Sequence, residues 1–544
     1  MKKLIALMLV LLFLPVSAMA LTVSGVNEFP IVDEPYELTI MACVNANVES
    51  WKENTVMLEY EQETGIKVNW IEVTDFDLME KIRLTLISGD TPDIILWYFG
   101  DTTMVQSFGS AGTILALNDL IEDYTYYAKS QLEEYPHLKE LMTSTDGNIY
   151  TLWGVQEIPN EAIWNKQFLF MPWFEKYSAA TGAELPETLD EYRTMLEYFR
   201  DNDMNGNGDP SDEIPLLGNY QAAIEGGSSM SYIMSAFQLW NCHDYYHITD
   251  DGELIFEANT QAFRDGLSYM NKMYEDGLYS EEDFILTLND YRAIVNVSSP
   301  DDMIVGCAAA PFYMRCVTQS IYERAYIDFQ PIPPLKNYYD PDVREVYQRW
   351  DAMYYPQSFI CSTCEHPEIA IKWLDYWLSE EGLMRTDKFG IEGRDWEWTN
   401  DYEALDGTKP SILIKATLAN AGNKDVPSCK SVPIYYTREL FEKIAADPTS
   451  NSRTYHDYRA HLVYAPYGVK GNVPEVVWCD DEDLLAEYSE LNTTIGEYVR
   501  AGYASFILGN TDIDNDADWQ AYLDGLEAIG LSRYLEVLHT YLGV

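Results

Sequence analysis

The spacing of apolar positions changes period four times between residues 36 and 97. In "YELTIMACV" (36–44), Leu38, Ile40, Ala42 and Val44 alternate with their neighbours, the period of a strand. Residues 49–64 ("ESWKENTVMLEYEQET") read as a helix closed by Gly65, and "IKVNWIEV" resumes strand from Ile66. A helix over about 76–88 follows, with Leu78, Met79, Ile82 and Leu86 on one stripe, ended by Gly89. Asp93-Ile94-Ile95-Leu96-Trp97 is then a continuous apolar run, as expected of a strand covered by helices on both faces. The order βαβαβ predicts a parallel, doubly wound sheet.

Two further helices are legible downstream. Residues 186–200 open on a capping box, Thr188 to Glu191, and carry Leu189, Tyr192, Leu196 and Phe199 on one face. Another helix begins at Pro367 and runs through Trp373, Leu374 and Trp377 to Gly382. There is no internal repeat and no low-complexity segment. With 544 residues the chain exceeds the roughly 250–300 residues that one core supports, so the pattern predicts two α/β lobes of discontinuous sequence with a site between them.

The N-terminus "MKKLIALMLVLLFLPVSAMA" carries Lys2 and Lys3, an apolar run from Leu4 to Phe13, and Ala18-Met19-Ala20. This reads as a secretory signal cleaved near Ala20, since the run is short of the ~20 apolar residues of a membrane span. No later segment is apolar enough to span. Formal charge is −54, and losing the two leader lysines makes it −56. Such a surface repels nucleic acid and anionic lipid and disfavours a polyanionic ligand. The eight cysteines do not form a disulfide scaffold, and Cys361-Ser-Thr-Cys364 lacks a second pair at zinc-ribbon spacing. Core thiols or a local disulfide are the expectation there.

The sharpest local motif is "DMNGNGDPSDE" (203–213), which sets Asp203, Asn205, Asn207 and Asp209 at alternate positions, with Gly206 and Gly208 between them. A tight coil with an oxygen at every second residue suits Ca2+, which takes six to eight oxygens at ~2.3–2.6 Å. Against a regular EF-hand, Gly208 fits the sixth position but Ile214 stands at the twelfth, so Asp212 and Glu213 must close the shell. Asp209 is expected to give its main-chain carbonyl, and the alternative is a solvated turn. "NTDIDNDAD" (510–518) has no glycine to fold it and reads as an acidic turn capping a helix. His243 and His247 stand four apart but on a doubtful helix, and a surface pair is expected.

There is no GxSxG, P-loop, GxGxxG or HExxH motif. Paired carboxylates for a secreted glycoside hydrolase remain open, as 89 acids offer many pairs. The 14 Trp and 41 Tyr residues say more. Trp97-Tyr98-Phe99, Trp350 beside Asp351, Tyr354-Tyr355 and Trp396-Glu397-Trp398 set ring faces next to polar groups, as a sugar requires. In open α/β sheets ligands bind beyond the carboxyl ends of strands, which is where Trp97 to Asp101 stand.

Several ordered pieces resemble one family, the extracellular solute-binding proteins of ABC importers, in the large oligosaccharide-binding form common in gut and soil Firmicutes. They are "EQETGIKVNWIEV" (61–73), "LISGDTPDII" (86–95), "GTILALNDLIEDY" (112–124), "DGNIYTL" (146–152), "PETLDEYRTMLEYFRDNDMNGNGDPSDEIPL" (186–216), "MYEDGLYSEEDF" (273–284), "FGIEGRDWEW" (389–398) and "FILGNTDIDNDADWQAYLDGLEAIGL" (506–531). The resemblance implies a two-lobed α/β fold of the type II periplasmic-binding-protein kind, each lobe a mostly parallel sheet flanked by helices. It also implies no catalysis, closure of a hinged, monomeric protein on an oligosaccharide, and delivery to membrane permease subunits. A non-transport receptor or adhesin is the other use of such a fold.

The expected partition is 36–155 plus about 300–350 for the N-terminal lobe and 156–299 plus about 351–544 for the C-terminal lobe. Ligand residues expected are Trp97, Tyr98, Asp101, Trp350, Asp351, Tyr354, Glu392 and Trp396, with Trp97 and Asp101 carried over from the loop after the SGDxPD strand of maltodextrin-binding relatives. The resemblance implies a structural calcium loop at Asp203, Asn205, Asn207, Asp209, Asp212 and Glu213. Relatives in Firmicutes are usually lipoproteins, yet no cysteine stands at the cleavage site here; Cys43 lies well beyond the signal core.

Overall fold

The computed structural model describes residues 21–45, 48–97, 102–158, 162–219, 228–317, 324–350, 352–415, 425–446 and 453–544. The leader expected over 1–20 lies outside them. Among the described residues no helix is long and apolar enough to cross a membrane.

Strands β1 (Tyr36–Val44) and β2 (Ile66–Thr74) pair in parallel, and β3 (Ile94–Leu96) joins the other side of β1, also parallel. Helix α1 (Thr55–Thr64) sets Val56, Met57 and Tyr60 in one core with Leu38, Ile40 and Ala42. On the opposite face α2 (Asp75–Ser88) sets Leu78, Ile82 and Leu86 with Met41, Cys43 and Ile95. Successive β1 side chains thus serve two cores, as the two-residue period of a strand dictates. Gly65 and Gly89 end the helices at φ 76° and 72°, where a Cβ is disfavoured. The first helix is shorter than expected because Asn54 caps it through Met57 N–H, while the Trp51 N–H is held by Glu72 (2.7 Å).

The chain then passes between two sheets. β4 (Leu152–Gln156) stays in the first; β5 (Gln167–Phe170) and β6 (Ile214–Leu217) start the second. β7 (Tyr246–Ile248) and β8 (Leu254–Phe256) form a hairpin, and β9 (Val305–Ala309) and β10 (Phe329–Ile332) complete the second sheet. After β11 (Val346–Gln348), β12 (Met353–Ile360) returns to the first sheet. The hairpin of β13 (Trp396–Thr399) and β14 (Ser411–Ile414) follows, then β15 (Tyr435–Tyr436) in the first sheet and β16 (Gly468–Lys470) alongside β11.

The sheet orders are β15-β4-β12-β3-β1-β2 and β10-β5-β9-β6. In each, one strand opposes the rest: β12 runs antiparallel to β3 and β4, and β5 to β9 and β10. Both are the strands that enter a lobe directly from the other one. They start at the edge facing the other lobe, whereas their neighbours end there.

Sheet membership corrects the expected partition. β9 and β10, within 300–350, belong to the second lobe, and β12 and β15, within 351–446, to the first. The expectation failed because strands of either lobe have the same local pattern. The C-terminal helices Glu482–Ile507, Asp516–Ala528 and Leu531–Leu542 share a core with the second sheet. The helix from Pro367 is also interrupted: it ends at Asp375, passes through a tight turn at Tyr376–Leu378, and restarts at Glu380 with Ser379 capping Gly382 N–H (2.9 Å). Asp375 is itself occupied, accepting from the N–H groups of Tyr126, Tyr127 and Ala128 at a neighbouring helix start (2.8, 3.1 and 2.7 Å).

Candidate functional site

Three segments join the lobes: 157–166, 349–352 and the stretch after 437. They are tied together. Ile163 bridges Gln348, Arg349 N–H donates to Ala162 (2.9 Å), and Ile163, Val346 and Tyr464 form a small buried cluster separate from the main cores. This hinge forms the base of the gap between the sheets.

Trp97 stands on the edge facing that gap. Its N–H donates to the Gln357 carbonyl (2.8 Å), so β3 ends level with the middle of β12. β12 continues four residues further toward the hinge, about 13 Å at strand rise. The Trp97 ring is half-buried over the α2 core with Ile71, Val73 and Phe108. Toward the hinge, Tyr354 of β12 is half-buried and meets His137 edge-on at 6.3 Å, and His137 reaches Glu475 (3.8 Å). Tyr135 and Tyr435 meet edge-on at 5.5 Å on the same side of the sheet. Tyr98, Asp101 and Asp351 lie outside the described residues.

At the hinge, Trp350 is half-buried under the Arg349 guanidinium, 4.3 Å from ring centre to cation. Trp164 stands perpendicular to Trp350 at 6.0 Å, also within 5.6 Å of Arg349, and meets His243 edge-on at 4.6 Å. One hinge strand supplies Arg349 and Trp350, another Trp164, and the second lobe His243. Ring and cation contacts thus join all three. Trp164, Arg349 and His243 were missed as site residues; each is a single residue in a segment without periodicity, and only chain crossing brings them together.

The 203–213 loop coils on itself. Gly206 and Gly208 take left-handed φ of 81° and 93°. Asp203 accepts from Gly206 and Gly208 N–H, Asn205 from Asn207, Asn207 from Asp209, and Asp209 from Ser211, at 2.7–3.1 Å. Glu213, almost fully buried, accepts from Met204 N–H through Oε1 (2.7 Å), and burial raises its carboxyl above the ordinary value. Two buried carboxylate oxygens are left over, Asp212 Oδ1 and Glu213 Oε2. Buried anionic oxygens without a donor are costly unless a cation meets them. The donor set therefore fits a hard cation in kind. As it stands the loop is stitched by its own backbone: among the described residues no three His, Cys, Asp or Glu cluster at metal-holding distance.

Residues 45–168 match the bacterial extracellular solute-binding protein family. The chain is 25% identical over 509 residues, 90% of its length and 86% of the relative's, to the fructooligosaccharide ABC transporter substrate-binding protein FusA of Streptococcus pneumoniae serotype 4. Over residues 45–168 the chain is thus similar to the extracellular solute-binding proteins, and nearly its whole length aligns with one of them. This family works outside the cytoplasm. A second relative, lipoprotein LipO of Bacillus subtilis, is 24% identical over 224 residues, 41% of this chain and 40% of its own. Solved structures with the same fold include FusA with kestose (TM-score 0.71, 23% identity, 93% of this chain and 99% of that one) and a solute-binding protein of Bifidobacterium longum subsp. infantis (TM-score 0.71, 18%, 94% and 98%). FusA has also been solved as an EF-hand mutant with fructo-nystose.

Several expectations need correction. Trp396 is 5% exposed, donates Nε1–H to the Gly390 carbonyl (3.3 Å) and packs edge-on against Phe389 in the first-lobe core, so it offers no free face. Its exposed neighbour is Trp398, and Glu392 is exposed in the turn before the hairpin. His243 and His247 are not a surface pair on a helix. His243 lies in a turn against Trp164, and His247 is on β7 with Nδ1 2.7 Å from the buried Glu257 carboxylate, whose burial raises it to about 7. Cys361 and Cys364 are buried and unpaired. In 510–518, Asn515 caps the helix Asp516–Ala528, and Asp514 and Asp516 accept from Ser268 (2.6 Å) and Arg264 (2.8 Å), the acidic-turn reading.

Proposed function

We propose that this protein captures an oligosaccharide between its lobes as a monomer and hands it to the permease subunits of an ABC importer. The observation that carries this reading is the row of part-exposed rings along the inter-lobe edge, Trp97, Tyr354, Trp164 and Trp350, in a chain aligned over 90% of its length with a fructooligosaccharide-binding transport protein. Sugar C–H faces stack on such rings while carboxylates and amides take the hydroxyls. Trp97, Tyr98, Trp350 and Tyr354 would supply rings, and Asp101, Asp351 and the exposed Glu392 acceptors. A sugar touching both lobes favours the closed state by its differential affinity, and the permease then reads closure.

The 203–213 loop would hold Ca2+ through Asp203, Asn205, Asn207, Asp212 and Glu213 and the Asp209 carbonyl. The ion neutralises the leftover carboxylate oxygens and pins the helix Leu189–Asp201 to β6. With EDTA the melting temperature should fall even without sugar; no change, with no copurifying ion, makes the loop a turn only.

The function is tested by calorimetric titration with kestose, nystose, maltotriose and xylotriose, with the products chromatographed. Saturable binding of intact sugar, weakened at least tenfold by Trp97→Ala with the fold retained, is the expected result. No binding to any of them or to an acidic oligosaccharide, or newly formed reducing ends, overturns it.

A further inference from the structure

The hinge carries a cation that the fold itself does not use. Arg349 is half-exposed, and its guanidinium makes no ion pair and no side-chain hydrogen bond with any described residue. In a chain with 89 acids and 35 bases, the guanidinium groups of Arg264, Arg385, Arg394 and Arg438, by contrast, meet carboxylates. Arg349 instead lies over Trp350, 4.3 Å from the ring centre, and 5.6 Å from that of Trp164. A guanidinium held by ring contacts keeps its N–H groups for an acceptor, and its fork can meet a carboxylate bidentately. A second donor without an acceptor lies next to it, the buried Nε1–H of Trp350. Four other tryptophans also leave Nε1 unpartnered, Trp173, Trp240, Trp373 and Trp377, but those rings are at most 1% exposed within the cores. Trp350 differs in being half-buried beside a cation that has no ion pair among the described residues. Asp244 in the second lobe feels Arg349: burial raises its carboxyl and Arg349 acts against that rise, yet the two form no ion pair.

We propose that Arg349, with Trp350 and Trp164, forms an end subsite of the cleft that takes the carboxylate of an acidic sugar unit, so that the preferred ligand is an oligosaccharide carrying a uronate-type residue. This rests on the oligosaccharide-binding reading above. The open part of the rings gives the sugar a stacking face, and the guanidinium beside them takes the carboxylate. The strong net negative charge of the protein does not prevent it. Fields from exposed charges are screened beyond about 8–10 Å at physiological salt, and the local guanidinium decides the bound state. A long polyanion, by contrast, would extend into the acidic surface.

The test is calorimetric titration of the full-length mature protein with trigalacturonate and sialyllactose, each beside its neutral methyl ester, and with kestose. At least one acid form should bind tenfold or more tightly than its ester. Arg349→Gln should abolish the preference and Arg349→Lys restore part of it. Equal affinity for acid and ester, or a preference that survives Arg349→Gln, overturns the proposal. Binding of kestose alone overturns it while leaving the oligosaccharide function standing, and binding of none of the five sugars removes both. Should Arg349→Gln fail to fold, the acid-against-ester comparison on the unaltered protein still decides.

Discussion

Trp396 and Trp350 look alike along the chain, each a tryptophan with an acid beside it, and the fold puts them to opposite uses. Around Trp396 the first lobe is dense with rings: Trp51 stacks on Trp70 at 4.9 Å, Tyr60 on Tyr376 at 4.7 Å, and Trp373 and Trp377 are fully buried. These rings have core neighbours on all sides. At the hinge, Trp350 and Trp164 keep part of each ring open and are held by edge contacts and a cation. An aromatic in this protein is therefore a candidate for the ligand only where chain crossings leave it short of packing partners. Sequence context, an acid next door, does not separate the two.

The largest effect should come from the core side of the comparison. Trp396→Ala removes a nearly buried ring and should destabilise by about 3–5 kcal/mol, read by urea unfolding, while sugar affinity at low temperature stays within twofold. A tenfold loss of affinity in the folded variant would return Trp396 to the site.

The next tests the hinge. His461, on the helix that ends at Tyr464, is held down to about 4 by burial, with Lys166 and Arg438 adding to it. Its folded value lies below its unfolded one, so its stabilisation is full above about 6.5 and is lost as pH falls toward 4. At ~1.4 kcal/mol per unit the loss is at most about 3 kcal/mol. Melting curves from pH 7.5 to 4 should show this, and His461→Gln should flatten that part of the profile. An unchanged slope in the variant would assign acid sensitivity elsewhere.

Trp164→Ala should weaken sugar binding by about 1–2 kcal/mol, roughly tenfold, through loss of one stacking face, with a smaller change in melting temperature than Trp396→Ala. The reverse ranking would make Trp164 a core residue. The smallest effect asks whether spent and unspent groups also separate the two acidic turns. Asn515→Ala removes a helix cap and should cost about 1 kcal/mol with and without EDTA. Glu213→Gln should instead blunt the response to chelator. A chelator-dependent Asn515 variant would break that distinction.

Much of the first lobe was legible because local rules fix it. Gly65 and Gly89 ended their helices, Thr188 and Glu191 made the capping box, and the alternation in β1 named both of its cores. The end of β3 also pointed to the inter-lobe edge, since parallel strands end on one side. What failed was non-local. Helix 367–382 breaks at Ser379, where a cap and a tight turn replace a pattern that looked continuous. Residues 300–350 changed lobe because β9 and β10 pair with β5, a matter of partners rather than of composition.

The sequence by itself determined the elements, their faces and the oxygen-rich loop, because these depend on contacts within a few residues. Only the tertiary structure decided which strands share a sheet, that Trp396 is core, and that Trp164, Arg349, Trp350 and His243 meet. Those outcomes depend on where the chain crosses between lobes, and side chains about 80 to 190 residues apart carry no sign of one another until it does.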